Sequence, residues 1–279
     1  MIANMSKLIR QPAVAGYFYP AGKEELKRTM ESFQKDFTPW IKAMPAKGAV
    51  LPHAGYMYSG KVAAQTVFSS KFQNTLIILG PNHTGLGKSY SMMTEGSWRT
   101  PLGTVTIDAE IAKSLLDGSR YFAQDTLAHQ SEHAIEVIIP FLQTVSLEFK
   151  IVPIIIAHSP GNVYKEIGAE MADVIEKNYW QNRISILASS DMTHYEPHES
   201  AKRKDSLAIE SMIQLDSESL LKKVKEHDIT MCGVGPVVIT MEALKAQGAQ
   251  QADLISYQTS GDVSGDHSSV VGYAGLRIN

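Results

Sequence analysis

The chain has 279 residues, with 26 Lys and Arg against 29 Asp and Glu for a net charge of −3, and it holds one cysteine against nine histidines. A single cysteine, Cys232, excludes a disulfide within the chain and any zinc site built from several cysteines, while near-neutral charge argues against the basic surface that nucleic-acid binding needs. The longest apolar run near the middle, Ile151–Ala157, is far short of the roughly 20 residues of a spanning helix, and no apolar signal-peptide core opens the chain, so a cytoplasmic protein with no membrane partner is expected.

The first helical pattern is Glu24–Phe37, with Leu26, Met30, Phe33 and Phe37 on one side. Short apolar runs at Ala49–Leu51 and Thr75–Leu79 read as strands, and Ser91–Asp108 as a strand-rich excursion. Glu132–Phe149 carries Ile135, Ile138, Ile139 and Leu142 at helical spacing, with a kink expected at Pro140. A strand at Ile151–Ile156 leads to a helix at Val163–Asn178, and a strand at Ile184–Ala188 leads to helices at Glu199–Ile213, Ser217–His227 and Val237–Gln247. Strands at Leu254–Tyr257 and Val270–Leu276 close the chain. Most strand runs are rich in Val and Ile without polar alternation, which suits strands covered on both faces. The alternation predicts a three-layer α/β/α fold with a largely parallel or mixed central sheet. No linker, charge block or repeat interrupts residues 1–279, so a single domain is expected.

Three of the apolar runs end in chemically capable residues. Ala49–Leu51 runs into Pro52-His53-Ala54-Gly55-Tyr56, Thr75–Leu79 into Gly80-Pro81-Asn82-His83, and Ile184–Ala188 into Ser189-Ser190-Asp191-Met192-Thr193-His194. Ligands of open α/β sheets bind beyond the carboxyl ends of the strands, so these residues are expected to share one cleft. Cys232 lies just before the helix pattern of Val237–Gln247, with Pro236 suited to a first helical position. A helix N-terminus favours the thiolate that binds metals; a buried, inert thiol is the other reading.

Two near-motifs lose on inspection. Gly55–Val62 almost spells a phosphate-binding loop, but Val62 stands where a hydroxyl should hold Mg²⁺. His129-Gln130-Ser131-Glu132-His133 spells an inverted zinc-peptidase motif, but Ser131 as a helix N-cap would leave His129 outside the helix. The Gly-rich stretch Gly261–His267 has the wrong spacing for an EF-hand and reads as a turn.

Taken together, the stretches Pro12–Pro20, Pro52–Gly60, Gly80–Gly85, Glu132–Leu142, Ser189–Tyr195, Met231–Pro236 and Ser260–Gly275 resemble the Memo family, also called AmmeMemoRadiSam system protein B. The resemblance implies a fold similar to class III extradiol dioxygenases, which use non-haem Fe(II). It implies a metal held by His53, His83 and Cys232, with Asp191, His194 and His133 acting on substrate. Fe(II) is the expected metal, with Cu or Zn as alternatives. The expected activity is a metal-dependent oxidoreductase; the alternative is a non-catalytic module binding a peptide or protein in the same cleft. The expected ligand is a small molecule or peptide, and the family name implies cooperation with radical-SAM system proteins.

Overall fold

The structure is a computed structural model that describes residues 8–35, 43–146 and 148–279. Strands are β1 Ile9–Arg10, β2 Met44–Pro45, β3 Gly48–Leu51, β4 Ser70–Lys71, β5 Thr75–Pro81, β6 Tyr90–Met92 and β7 Ser97–Thr100. They continue with β8 Gly103–Ile107, β9 Ala123–Gln124, β10 Lys150–Ile156, β11 Ile184–Ser189, β12 His194–Glu196, β13 Ala252–Thr259 and β14 Val270–Ile278. Helices are α1 Lys23–Lys35, α2 Tyr56–Phe68, α3 Ala109–Gly118, α4 Leu127–Gln130 and α5 Ile139–Val145. The second half adds α6 Gly161–Lys177, α7 His198–Ile213, α8 Ser217–Glu226, α9 Val234–Ala246 and α10 Gly261–Ser264.

The centre of the sheet is parallel, in the order β8-β10-β5-β11-β3. Every residue of β3, β5 and β11 is buried, and these are Val-, Ile- and Leu-rich runs. Such continuous apolar strands need cover on both faces, and helices supply it. Beyond β3 the sheet turns antiparallel through β14, which also pairs with β13 and β12. The sheet is therefore mixed, as expected. On β14 the two faces can be told apart: a side chain at Gly275 would meet Thr66 and Val62 of α2, while one at Gly272 would meet Asp205 of α7. Helices α1 and α5 accompany α2, whereas α9, α6, α3 and α8 lie with α7 on the opposite layer.

Helix α9 is the central support. Nine of its residues are buried, so it is apolar nearly all round, the mark of a helix enclosed by other elements. It packs between the sheet and α6, and Gly168 of α6 makes the approach close: a Cβ there would lie 2.8 Å from the Ile239 carbonyl oxygen. Gly168→Ala is expected to lower stability by roughly 1–3 kcal/mol through this overpacking. Urea unfolding checks it, and a neutral or stabilising result would contradict the packing argument.

Several expectations need correction. The helix read over Glu132–Phe149 is absent as a continuous element; a 3-10 turn at Glu136–Ile138 leads into α5, and Pro140 lies in the first turn of α5 instead of kinking a longer helix. The cause is local. The Glu132 carboxylate takes the main-chain N–H groups of His133 and Ala134, at 2.9 and 3.0 Å, so these donors bind a side chain where the pattern predicted a helix. Helix α9 begins at Val234, three residues before its predicted start, and Pro236 is its third residue. Helices α2 and α3 were not anticipated; α2, mostly buried, shows only a weak two-faced pattern. The first helix ends at Lys35 in the structure, and Phe37 lies outside the described residues.

Candidate metal centre

The strand ends deliver His53, His83 and Asp191 to one place. His53 follows β3, His83 follows β5, and Asp191 follows β11, all beyond the carboxyl ends of adjacent parallel strands. A cavity of about 570 Å³ at the opposite, amino-terminal end of these strands is lined by Asn74, Thr106, Lys150 and Arg183, and it holds none of these groups.

His53 is 2% exposed, and its neighbours fix its tautomer. The Ser189 hydroxyl donates to the Ala134 carbonyl at 2.6 Å, which uses its only proton. Ser189 Oγ must then accept from His53 Nδ1–H, 2.6 Å away, and the lone pair of His53 sits on Nε2, facing the cleft. Burial, with the neighbouring His133, His83 and His194, holds His53 well below the ordinary histidine range. It is a neutral imidazole whose lone pair lies on Nε2, which is the form that binds metals.

His83 and His133 are organised by one carboxylate. Glu132 is fully buried, and its oxygens accept from His83 N–H at 2.7 Å and from His83 Nδ1 at 2.8 Å, besides the two main-chain donors of the following residues. His133 Nδ1 lies 3.4 Å from the same carboxylate. Burial pushes Glu132 upward, but the hydrogen bonds and charges from His83, Ala134 and His133 outweigh it and hold the carboxyl below its usual range. Glu132 is therefore ionised and occupied. It orients the ring of His83 so that Nε2 points into the cleft, the usual arrangement behind a ligating histidine.

The His83 and His133 rings stack at 4.7 Å and 19°, with His53 at 5.1 and 5.4 Å from them. One nitrogen from each of the three rings lies within 4.8 Å of the others, a group that could hold a metal ion. The donors fit such an ion: three imidazoles suit Zn, Cu, Fe or Ni, and the second ring nitrogens of His53 and His83 are already committed. The sequence had placed His133 among residues acting on substrate; here it stands beside the two predicted ligands. Gly80 makes room for its loop, since a Cβ there would meet Ile135 and Ala134 at 3.0 and 3.1 Å.

Cys232 lies at the edge of this group, with Sγ 3.3 Å from His53 Nε2. Its state departs from the helix-dipole expectation. Burial and the Asp191 carboxyl push the thiol far above its ordinary range, and this outweighs the nearby N-terminus of α9. The protonated thiol is accordingly placed to donate to His53 Nε2. Asp191 takes the His53 N–H on Oδ1 at 2.8 Å, while its own N–H points at Cys232 Sγ at 3.3 Å. His194 stands on the same side. Its Nδ1 donates to the Thr230 carbonyl at 3.0 Å, and its Nε2 has no hydrogen-bond partner among the described residues on a partly exposed ring.

Behind the centre lies a network that sequence reasoning missed. Arg10, 6% exposed, pairs with Glu136, donates to the carbonyls of His129 and Glu132 at 3.0 and 2.7 Å, and covers the Trp98 ring at 4.4 Å. Glu136 also accepts from Ala13 and Val14 N–H, at 2.8 and 3.0 Å, and from the Tyr19 hydroxyl at 2.6 Å. An acidic residue inside the apolar run Ala134–Leu142 was the available signal. His129 is buried in α4 against Trp98, 5.9 Å between rings, and has no part in the histidine group. The zinc-peptidase geometry is absent, because His133 lies outside that helix.

The family model "Memo-like protein" matches residues 10–277. The chain belongs to the Memo-like family. A MEMO1 family protein of Methanopyrus kandleri is 45% identical over 278 residues, covering 96% of this chain and 98% of that one. A relative from Methanocaldococcus jannaschii is 41% identical, covering 97% and 99%. In three dimensions this Memo-like chain resembles an uncharacterized Escherichia coli K12 protein, JW3007, with a TM-score of 0.52 and 12% identity, over 83% of this chain and 99% of that one. That likeness shows a shared fold. No helix among the described residues is long and apolar enough to cross a membrane.

Proposed function

We propose that this protein is a metal-dependent oxidoreductase that holds Fe(II) through His53 and His83, completed by His133 or Cys232. The observation that carries the reading is the convergence of three imidazoles, two of them with their second nitrogens fixed by Ser189 and Glu132. Cu or Zn would suit the same donors. When bound, ferrous iron would supply redox chemistry, as it does in the class III extradiol dioxygenases whose fold the Memo resemblance implies.

The chain's own residues divide the remaining work. Asp191 fixes the main chain of His53 and directs its own N–H at Cys232. His194, its Nδ1–H tied to Thr230, offers Nε2 to take a proton from a bound molecule. Cys232 is the reserve donor: its proton leaves only when a cation offsets burial and the Asp191 charge. The exposed Tyr195, with its ring 5.7 Å from that of His194, offers apolar surface to a small molecule or a peptide. Partnership with a radical-SAM enzyme belongs to the same proposal, and a pull-down checks it.

Anaerobic Fe(II) loading followed by nitric oxide tests the centre. The wild type should give the EPR signal of a ferrous nitrosyl, and His83→Ala should lose it. No signal from the loaded wild type would overturn the proposal.

A further inference from the structure

Tyr273 on β14 has a buried ring and a hydroxyl without a partner. The residue is 2% exposed, and no hydrogen bond of its hydroxyl exists among the described residues. A buried tyrosine hydroxyl normally finds one. Yet this oxygen is absent from the enclosed polar atoms that lack partners, which include Trp98 Nε1 and both ring nitrogens of His129. It reaches solvent.

The strand shows where. Met192 N–H donates to the Gly272 carbonyl at 2.8 Å, and Gly272 N–H to Thr193 at 2.9 Å, so β14 is bonded directly to the segment that carries Asp191 and His194. Successive side chains alternate across a strand. Gly272 faces Asp205 of α7, so Tyr273 faces α2. Its cross-strand neighbour Gln258 confirms this side by reaching the Tyr58 carbonyl in the first turn of α2, at 2.5 Å. Beyond burial, the groups that act on the Tyr273 hydroxyl are Asp191, Tyr58 and Tyr195; all keep its proton in place. Tyr195 is 79% exposed, sits at the register shift of β12 and has φ +58°, a backbone conformation that bulky side chains rarely adopt. Tyr273 thus presents a solvent-reaching hydroxyl on the α2 side of β14, next to the segment that carries Asp191 and His194.

We propose that Tyr273 is a ligand-binding residue of this cleft, donating its hydroxyl hydrogen to an oxygen of the molecule bound at the metal. The site would then take ligands with a carboxylate, phenolate or carbonyl oxygen directed at β14. The inference rests on the metal reading above, and the test separates the two. Cobalt(II) is loaded into wild type and Tyr273→Phe, and each is titrated with acetohydroxamate, an oxygen-donor probe, while the visible bands of the metal are followed. Phenylalanine keeps the ring, so cobalt affinity and thermal stability should be unchanged, while acetohydroxamate binds roughly tenfold more weakly, the worth of one hydrogen bond. Equal probe affinity in the two proteins, or no response in the cobalt-loaded wild type, overturns the role of Tyr273 alone. Failure of the wild type to bind cobalt overturns the metal reading and this inference with it.

Discussion

Glu132→Gln is expected to weaken metal binding by roughly 10- to 100-fold, the range found when a partner behind a ligating histidine is lost. The carboxylate accepts four close hydrogen bonds, two from His83 and one each from His133 and Ala134. A glutamine amide would set an N–H group against donors that Glu132 now accepts. The His83 ring would lose its fixed tautomer, and the loop bearing His133 would lose its anchor. Leaving a buried donor unmatched also costs about 1–3 kcal/mol of stability. A chelator competition with Zn²⁺ or Co²⁺, run well below the unfolding temperature, separates the two effects. Unchanged affinity would show that Glu132 supports the fold without organising the metal ligands.

Arg10→Ala is expected to cost roughly 3–5 kcal/mol, because it leaves the Glu136 carboxylate buried without its cation. Among the described residues the pair is more enclosed than the surface ion pairs, with side chains 4% and 1% exposed. Exposed pairs such as Lys113–Asp117 contribute little by comparison. Substituting both partners by apolar residues should remain destabilising here, since Ala13, Val14 and Tyr19 would lose their acceptor. Urea denaturation measures both variants. A loss below about 1 kcal/mol for Arg10→Ala would place the pair in the surface class. Because Arg10 also holds the Glu132 carbonyl, the same variant should loosen the histidine loop.

The parallel core was legible because β3, β5, β10 and β11 are nearly unbroken apolar runs. The positions of His53, His83, Asp191 and His194 followed from those strand ends. What the pattern hid were side chains that compete with the backbone. Ile135, Ile138, Ile139 and Leu142 have helical spacing, but Glu132 takes the local N–H groups of His133 and Ala134, and the α-helix begins only at Ile139. Cys232 shows a second limit. Its place before α9 was readable, but the burial and the Asp191 carboxyl that keep it protonated are long-range facts, as Asp191 lies 41 residues away in the chain. Tyr273 was invisible for the same reason: only the antiparallel pairing of β14 carries it next to the segment of Asp191 and His194.

The central claim is a resident metal held by strand-end histidines, and metal content measures it most directly. Protein purified anaerobically should contain stoichiometric iron, copper or zinc by inductively coupled plasma mass spectrometry, and His53→Ala should lose it. Comparing His133→Ala with Cys232→Ser then identifies the third donor as the one whose loss lowers occupancy further. Wild-type protein without a stoichiometric metal, under conditions that retain labile iron, would contradict the account.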